Sequence, residues 1–149
     1  MDSLKVTSTS FKDGEMIPDK FTCDGENISP AISWGELPTG VKSLALICDD
    51  PDAPSGDFVH WVVYNIPADI EGFKENAEIS DIADLGVTDY GRGGYGGPCP
   101  PSGVHHYHFK LYALDEMIET EKALDKYDLL DRIKGHILAK GEIVGLYKR

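Results

Sequence analysis

Three histidines stand within four residues in the stretch GPCPPSGVHHYHF, residues 97–109. Imidazole can bind a metal, transfer a proton or, when protonated, hold an anion. The segment in front of them is rich in proline, which fixes the backbone, and in glycine, which allows close approach to a ligand. This combination is typical of a rigid loop beside a binding site.

A second candidate is the acidic loop DDPDAP at residues 49–54. Its prolines stiffen the loop and direct its carboxylates. A carboxylate near an imidazole favours the charged ring and fixes its tautomer, so Asp50 is a candidate partner for a histidine. The alternative is an acidic, solvated turn, which residue types alone favour. We also predict a cis peptide bond between Ala53 and Pro54, because a tight turn at a binding site tolerates that isomer.

Two weaker candidates are His60, alone in the apolar run FVHWVVYNI, and the glycine-rich run GRGGYGGP at residues 91–98. A single histidine on an apolar strand is more often structural than functional. The glycine run can present backbone amides to an anion or can be a flexible turn, and it matches neither a P-loop nor a dinucleotide-binding fingerprint. Both features support a site only if they meet Asp50 and His105 in space.

Strands are predicted to carry these residues. The run at 43–48 (SLALIC) is short and continuously apolar, and the run at 58–66 (FVHWVVYNI) is β-branched and aromatic. The third run, at 105–114 (HHYHFKLYAL), is predicted as a strand with an apolar face. Asp50, His60 and His105 all lie at strand ends, where loops from different strands meet. In the second strand His60 shares a row with Phe58, Val62, Tyr64 and Ile66, and parity does not settle which face is interior.

Alternation in the third strand separates its histidines. His105 and Tyr107 share the apolar face with Phe109, whereas His106 and His108 point to the other face. The three histidines therefore cannot readily share one ion, and a zinc site is disfavoured.

Near the end of the chain, the spacing of the apolar residues changes from that of a strand to that of a helix. Asp128 is a candidate cap for a helix in which apolar residues recur at helical spacing, and residues 142–147 read as a closing strand. With no linker or repeat, we predict a single domain over residues 1–149 that is mainly β, a β-sandwich-like fold with one or two short peripheral helices. The predicted helix positions are Leu129, Leu130, Ile133, Ile137 and Leu138.

Composition excludes some classes of function. A net charge of −12 disfavours nucleic acid and anionic membrane surfaces as partners. No apolar run reaches the roughly 20 residues of a membrane span, and the N-terminal residues lack a signal-peptide pattern, so we expect a cytoplasmic protein. The odd number of cysteines favours free thiols, although the sequence leaves open whether Cys23 and Cys99 are neighbours.

Taken together, SLALICDDPDAP, FVHWVVYNIP and GYGGPCPPSGVHHYHFKLYALD, in this order, resemble the phosphatidylethanolamine-binding protein family, also called Raf kinase inhibitor-like proteins, in its short bacterial and archaeal branch. FTCDGENISPAISW and GHILAKGEIVGLYKR extend the resemblance over nearly the whole chain. The resemblance implies a two-sheet β fold with a small pocket for an anion, such as phosphate, a phosphorylated group or a phospholipid headgroup. Carried over by position, the ligand-binding residues are Asp50, Asp52, His60, Gly97, Pro98, His105 and Tyr107, with no catalytic residue, metal or cofactor.

The resemblance also implies a role as an inhibitor of a kinase or serine protease, and a homodimer, without identifying the protein target. One departure is His106, where the family commonly has arginine. Because His106 faces away from the row of His105 and Tyr107, we expect the change to alter an outer contact and leave the anion site intact.

The predicted donors to a phosphate are protonated His60 and His105, the Tyr107 hydroxyl and backbone amides of the Gly-Pro loop. Asp50 would hold one nitrogen of a histidine while the ligand takes the other, and binding should strengthen from about pH 8 to about pH 6. The alternative is a hydrolase of small esters or phosphomonoesters, with Ser102 or Cys99 as nucleophile beside His105 and Asp50. It is disfavoured because Cys99 lies between prolines with no helix after it, and Ser102 lies in no G-x-S-x-G elbow.

Overall fold

The chain folds into two β-sheets and one short α-helix, described for residues 2–149 by a computed structural model. The four predicted strands are confirmed, and each is longer than its apolar run. Single 3-10 turns lie at Asp19–Phe21 and Ile79–Asp81. The elements are β1 (Asp2–Ser3), β2 (Val6–Thr7), β3 (Ile32–Trp34), β4 (Ser43–Asp50), β5 (Phe58–Pro67), β6 (Gly72–Phe73), β7 (Asp84–Leu85), β8 (Val104–Leu114), α1 (Lys126–Ile133) and β9 (Ile137–Lys148).

The large sheet has the strand order β1-β9-β8-β4-β5-β7, and the small sheet has the order β2-β3-β6. The long strands β9, β8, β4 and β5 pair antiparallel. Every residue of β4 is buried, because the small sheet and N-terminal segments cover one face and α1 covers part of the other. A strand buried on both faces has to be continuously apolar, as SLALIC is. The prediction of a mainly β, two-sheet fold is confirmed.

Strand β8 has the predicted alternation. His105, Tyr107 and Phe109 are buried between the two sheets, whereas His106 is exposed and His108 is half-buried on the opposite face. The row that includes His105 therefore faces the interior, as its apolar neighbours indicated.

Strand β5 departs from simple alternation. The β4 neighbours Cys48 and Asp49 pair with Trp61 and Val59, so His60 is the extra residue of a β-bulge. After the bulge, Trp61 packs between the two sheets and Val62 packs toward α1. The predicted single row from Phe58 to Ile66 is thus wrong: Val62 and Tyr64 face α1, whereas His60 faces Tyr107 and Ile66 joins the core between the sheets.

The helix starts and ends earlier than predicted. Its N-cap is Asp125, whose carboxylate accepts the Asp128 N–H at 2.8 Å, so Asp128 is inside the first turn. It stops at Ile133 because Gly135 has a left-handed φ of 85°, which turns the chain into β9. Ile137 and Leu138 consequently belong to β9 and were wrongly assigned to the helix.

A buried ion cluster attaches α1 to the sheet. The Asp49 carboxylate, 1% exposed, accepts hydrogen bonds from Lys126 Nζ at 2.7 Å and Lys110 Nζ at 3.2 Å. Lys126 also pairs with Asp57. Burial lowers the pKa of Lys126, but its hydrogen bonds to both carboxylates outweigh burial and raise the pKa above its usual value. Lys126 therefore stays charged where α1 begins.

We expect Lys126→Met to lower the free energy of unfolding by roughly 3 kcal/mol, because it leaves the buried Asp49 charge with a weaker partner. Urea denaturation would measure the change. Lys122→Met is the matched control, since Lys122 is exposed and forms no ion pair in the described part of the chain, and it should stay within about 0.5 kcal/mol of the parent protein. Equal stability of the two variants would contradict a structural role for the cluster.

Candidate functional site

The predicted site residues come from three adjacent strands. β4 pairs with both β5 and β8, so the end of β4 at Asp50 lies beside the start of β5 and the start of β8. The structure brings Asp50, His60, His105 and Tyr107 together there, all at least 94% buried. We call these four residues the histidine cluster.

Asp50 and His105 form a buried pair. Asp50 Oδ2 lies 2.6 Å from His105 Nδ1, and Asp50 Oδ1 accepts the Asp52 N–H at 2.8 Å. His105 Nε2 lies 3.2 Å from the backbone carbonyl oxygen of Ser102. Both ring nitrogens thus face acceptors, and only the doubly protonated ring donates to both. Neither nitrogen is free for a ligand, which corrects the expectation that a ligand would take the ring nitrogen opposite Asp50.

His60 has one free ring nitrogen. Its Nδ1 lies 2.7 Å from the Gly96 carbonyl oxygen, and because a carbonyl only accepts, Nδ1 carries the proton. Nε2 has no hydrogen-bond partner in residues 2–149 and is an acceptor in the neutral ring. Burial lowers the pKa of His60, although the Gly96 carbonyl and the Asp50 charge act in the opposite direction. The ring centroid of His60 lies 5.1 Å from that of Tyr107.

The Tyr107 hydroxyl is also free. The hydroxyls of Tyr64, Tyr90, Tyr95 and Tyr147 each bond a protein atom, whereas that of Tyr107 has no partner among residues 2–149. Burial, followed by the negative charge of Asp50, raises the pKa of Tyr107. The group therefore remains a protonated donor at neutral pH.

The glycine-proline segment holds the cluster but offers no donor at the predicted positions. Gly97 N–H donates to Asn27 Oδ1 at 2.8 Å, and the Gly97 carbonyl accepts from the Tyr90 hydroxyl at 2.9 Å. A side chain at Gly97 would collide with the backbone carbonyl of Phe21. Pro98 has no N–H, and its carbonyl accepts from Cys23 N–H. The expectation that backbone amides of Gly97 and Pro98 bind the anion is wrong, because close packing already uses them.

Asp52 lies outside the cluster. Its Oδ2 accepts both the backbone N–H of His106 at 2.8 Å and a ring proton at 2.7 Å. These hydrogen bonds lower the pKa of Asp52. His106 thus makes a contact outside the histidine cluster, as strand alternation predicted, and Asp52 is its partner.

The peptide bond between Ala53 and Pro54 is trans, so the predicted cis bond is wrong. The turn is closed instead by a hydrogen bond from Gly56 N–H to the Ala53 carbonyl, and Gly56 has a φ of 104°.

The cysteines are not all free. Cys23 and Cys99 form a disulfide, which corrects the expectation of free thiols, and Cys48 is the buried free cysteine. An odd cysteine count cannot distinguish three free thiols from one disulfide and one thiol. The bond attaches the segment after Phe21 to the segment that contacts His60.

Neither predicted hydrolase arrangement is formed. The disulfide occupies Cys99 Sγ. The atom of Ser102 near His105 is the backbone carbonyl oxygen, which cannot act as a nucleophile, and the Ser102 hydroxyl has no hydrogen bond to that ring within the described chain.

Possible metal ligands lie elsewhere. His106 pairs with Asp52, and His108 Nδ1 lies 3.1 Å from Glu142 Oε2, so these histidines have separate partners. Among residues 2–149, one group of possible ligand atoms lies within 4.8 Å of one another, at Asp115, Glu116 and His136 beyond the other end of β8. Their mutual ion pairs and that of Arg132 with Glu116 account for this arrangement.

Sequence reasoning missed the residues around the cluster. Phe58 and Tyr90 pack against the His60 ring with centroids 4.9 and 5.7 Å away, and Asn27 fixes Gly97. Asn27 has a left-handed φ of 58°, a conformation that asparagine tolerates better than most residues. The aromatic residues carried no distinguishing signal in a β-rich chain.

The two-sheet β fold and the buried aspartate-histidine-tyrosine cluster place the chain among small, mainly β proteins, and comparison with known proteins identifies the family. The model of the phosphatidylethanolamine-binding protein family matches residues 7–148. The chain belongs to this family. No helix in residues 2–149 is both long and apolar enough to cross a bilayer.

Relatives and solved structures agree with this assignment. A UPF0098 protein of Methanothermobacter thermautotrophicus is 49% identical, covering 98% of this chain and 99% of the relative. The crystal structure of CT736 from Chlamydia trachomatis, described as a candidate phosphatidylethanolamine-binding protein homologue, has a TM-score of 0.94 at 38% identity and covers 100% of this chain and 99% of that one. E. coli YbcL, described as a member of the mammalian family, has a TM-score of 0.89 at 33% identity and covers 99% of both chains.

Thiol titration and unfolding test the disulfide. The unfolded, unreduced protein should show one reactive thiol, from Cys48, and the reduced protein three. The bond closes a loop with a sequence separation of 76, so the double variant Cys23→Ser/Cys99→Ser should lose roughly 2–4 kcal/mol of unfolding free energy. The double variant Cys48→Ser/Cys99→Ser cannot replace this variant, because Cys48 is buried in the core and its substitution would itself change the stability. Three reactive thiols before reduction would contradict the bond.

Proposed function

We propose that this protein is a non-enzymatic binding protein and that its histidine cluster binds a small anion, the phosphoryl group of a phosphorylated molecule or phospholipid headgroup. One observation carries the proposal: His60 Nε2 and the Tyr107 hydroxyl, neighbouring polar atoms of two otherwise buried side chains, have no protein partner within residues 2–149 and are not among the fully buried unpaired atoms. Both atoms therefore keep access to solvent and are able to bond a ligand.

The chemistry of the two free atoms suits an oxyanion. The Tyr107 hydroxyl donates a hydrogen bond to a phosphoryl oxygen. His60 Nε2 accepts the proton of a monoanionic phosphate, or donates to a dianion once the ring has taken up a proton. Because Nδ1 is held by the Gly96 carbonyl in both states, protonation changes Nε2 without turning the ring.

The Asp50–His105 pair positions the cluster in this proposal. The His105 ring stacks near Tyr107, with centroids 6.5 Å apart and planes inclined by 21°. Asp50 is fixed by His105 on one oxygen and by the Asp52 N–H on the other. The pair therefore orients Tyr107 and places a negative charge that favours protonated His60, and the ligand contacts fall to His60 and Tyr107.

A phosphoryl group is a small ligand. Surface cavities of about 200, 470, 540 and 550 Å³ are each lined by residues outside the histidine cluster, so none of these four is the site proposed. A phosphoryl group needs little more than the space of a few waters. The family description names a phosphatidylethanolamine-binding protein, and that lipid carries a phosphoryl group in its headgroup, which supports this ligand class. That the protein inhibits a kinase or serine protease, and that it forms a homodimer, both stay predictions.

Anion binding should depend on pH through His60. Burial lowers the pKa of this ring below 6.5, so the free protein has a neutral His60 near pH 7 and a dianion must bring in a proton. Sulfate affinity should therefore rise as pH falls from about 8 to about 6, by at most about tenfold per pH unit. Calorimetry with sulfate measures this directly, because sulfate keeps its charge over that range whereas phosphate does not. An affinity independent of pH would exclude proton uptake by His60.

Two variants test the ligand contacts. Tyr107→Phe and His60→Gln should each weaken sulfate binding by about tenfold or more, because each removes a hydrogen bond to a charged ligand. His60→Gln should also abolish the pH dependence. Tyr112→Phe is the control, since Tyr112 lies on the opposite face of β8. Unchanged affinity in both site variants would overturn the assignment of the cluster as the anion site.

A further inference from the structure

The disulfide between Cys23 and Cys99 lies at the surface of the protein, although the histidine cluster that it supports is buried. Both cysteines are exposed, so a thiol in solution has access to the bond. Cys48 differs, because it is 1% exposed and burial raises the pKa of its thiol, which keeps it protonated at neutral pH. Thiol–disulfide exchange in the folded protein is therefore confined to the Cys23–Cys99 bond.

The bond joins two segments that together fix the His60 ring. Cys99 follows Gly96 closely in sequence, and the Gly96 carbonyl accepts the His60 Nδ1–H at 2.7 Å. Cys23 belongs to residues 21–27, which contact the glycine-proline segment through single hydrogen bonds. Such bonds compete with water and contribute little each, so the covalent bond is the strongest of these links. The hydrogen bonds are Tyr95 hydroxyl to Phe21 carbonyl at 2.7 Å, Gly97 N–H to Asn27 Oδ1 at 2.8 Å and Cys23 N–H to Pro98 carbonyl at 3.1 Å.

The charges around the two sulfur atoms differ. Arg149 Nη1–H donates to Cys99 Sγ at 3.6 Å. Cys23 is followed by Asp24, whose carboxylate pairs with Arg149 Nη2 at 2.7 Å. A guanidinium beside a sulfur favours the thiolate, and a neighbouring carboxylate disfavours it. Because the sulfur that forms the more stable thiolate is the better leaving group, a nucleophile is directed to Cys23 Sγ and Cys99 leaves.

We propose that the Cys23–Cys99 bond is a redox-reactive site at which a dithiol opens the disulfide and thereby weakens anion binding at the histidine cluster. One thiolate of the dithiol attacks Cys23 Sγ, the bond to Cys99 breaks, and Cys99 keeps the electron pair as a thiolate. The second sulfur of the dithiol, deprotonated in turn, attacks the mixed disulfide and releases the Cys23 thiolate. The protein gains two electrons, the dithiol becomes a cyclic disulfide, and its two protons pass to the protein thiolates or to solvent.

This inference rests on the proposed function, because it concerns the affinity of the same cluster. Without the covalent bond, the segment that carries Gly96 leaves its position for part of the time. His60 then loses the acceptor that fixes its Nδ1–H, and the ring is free to turn away from the ligand. If the segment keeps its position for about a third to a tenth of the time, the apparent affinity falls about three- to tenfold.

Calorimetry with sulfate at about pH 6, where the proposed proton uptake favours binding, measures the effect. The oxidised protein is compared with protein reduced by dithiothreitol, an uncharged dithiol that does not compete with an anion. Reduction should weaken sulfate binding about three- to tenfold, reoxidation should restore it, and far-UV circular dichroism should stay the same. The double variant Cys23→Ser/Cys99→Ser is the control, since it should bind like the reduced protein with or without dithiothreitol.

The outcomes separate this inference from the function on which it rests. Absence of sulfate binding by the oxidised protein would overturn the proposed function and this inference with it. Equal sulfate affinity of the oxidised and reduced proteins, or a double variant that binds as tightly as the oxidised protein, would overturn this inference alone. Loss of the circular dichroism signal on reduction would also overturn it, because the bond would then hold the whole fold.

The direction of attack is tested in the folded, oxidised protein. A short exposure to 2-mercaptoethanol followed by iodoacetamide traps the mixed disulfide on one cysteine and alkylates the other, and peptide mass spectrometry locates both groups. The adduct should lie mainly on Cys23 and the alkyl group on Cys99. Arg149→Gln should remove this preference, whereas Lys148→Gln, at the neighbouring exposed position, should keep it. A bond that opens only after unfolding would overturn the proposal, and evenly divided adducts in the parent protein would overturn the assigned leaving group.

Discussion

The β-bulge at His60 is the constraint on which the arrangement of the site depends. With both faces of the central sheet covered near β5, each residue of that strand has to face one layer or the other. The extra residue lets His60 and Trp61, neighbours in sequence, both lie on the face of the large sheet that carries Tyr107. His60 can therefore stand beside Tyr107 of β8 while Trp61 fills the core below it. A regular strand would place only one of them there and would separate the histidine from the core that buries it.

The bulge places the His60 ring, and a distant segment fixes its protonation pattern. The Gly96 carbonyl that accepts His60 Nδ1–H belongs to a stretch whose backbone is held on several sides. Asn27 accepts from Gly97 N–H, Tyr90 donates to the Gly97 carbonyl, and Cys23 bonds Cys99 covalently. The tautomer of His60 thus depends on residues thirty or more positions away in sequence. Such preorganisation lets the free Nε2 meet a ligand without rearrangement of the ring.

Much of this fold could be predicted from the sequence, because β-branched and aromatic runs mark strands and alternation along β8 was sufficient to separate His105 and Tyr107 from His106. Alternation failed in β5, where bulges change the parity and leave no mark in residue type. The helix boundary was misplaced because Asp125 and Asp128 are equally plausible caps, and the glycine that ends the helix lies within the apolar pattern. The disulfide and the Gly97–Asn27 contact join segments far apart in sequence, and local pattern carries no information about such pairs.

The charge balance of the histidine cluster explains how an acidic protein could bind an anion at all. Burial lowers the pKa of His60, so its ring is neutral in the free protein near pH 7 and presents no fixed positive charge to an approaching anion. The field of a chain of net charge −12 then opposes an approaching anion, and no lysine or arginine in the cluster compensates for it. Attraction has to arise on contact, from the Tyr107 hydroxyl and from a proton that enters with the ligand onto His60. On this proposal the affinity is set by proton uptake at short range, so it responds to pH more strongly than to ionic strength, the reverse of a site built on surface lysines.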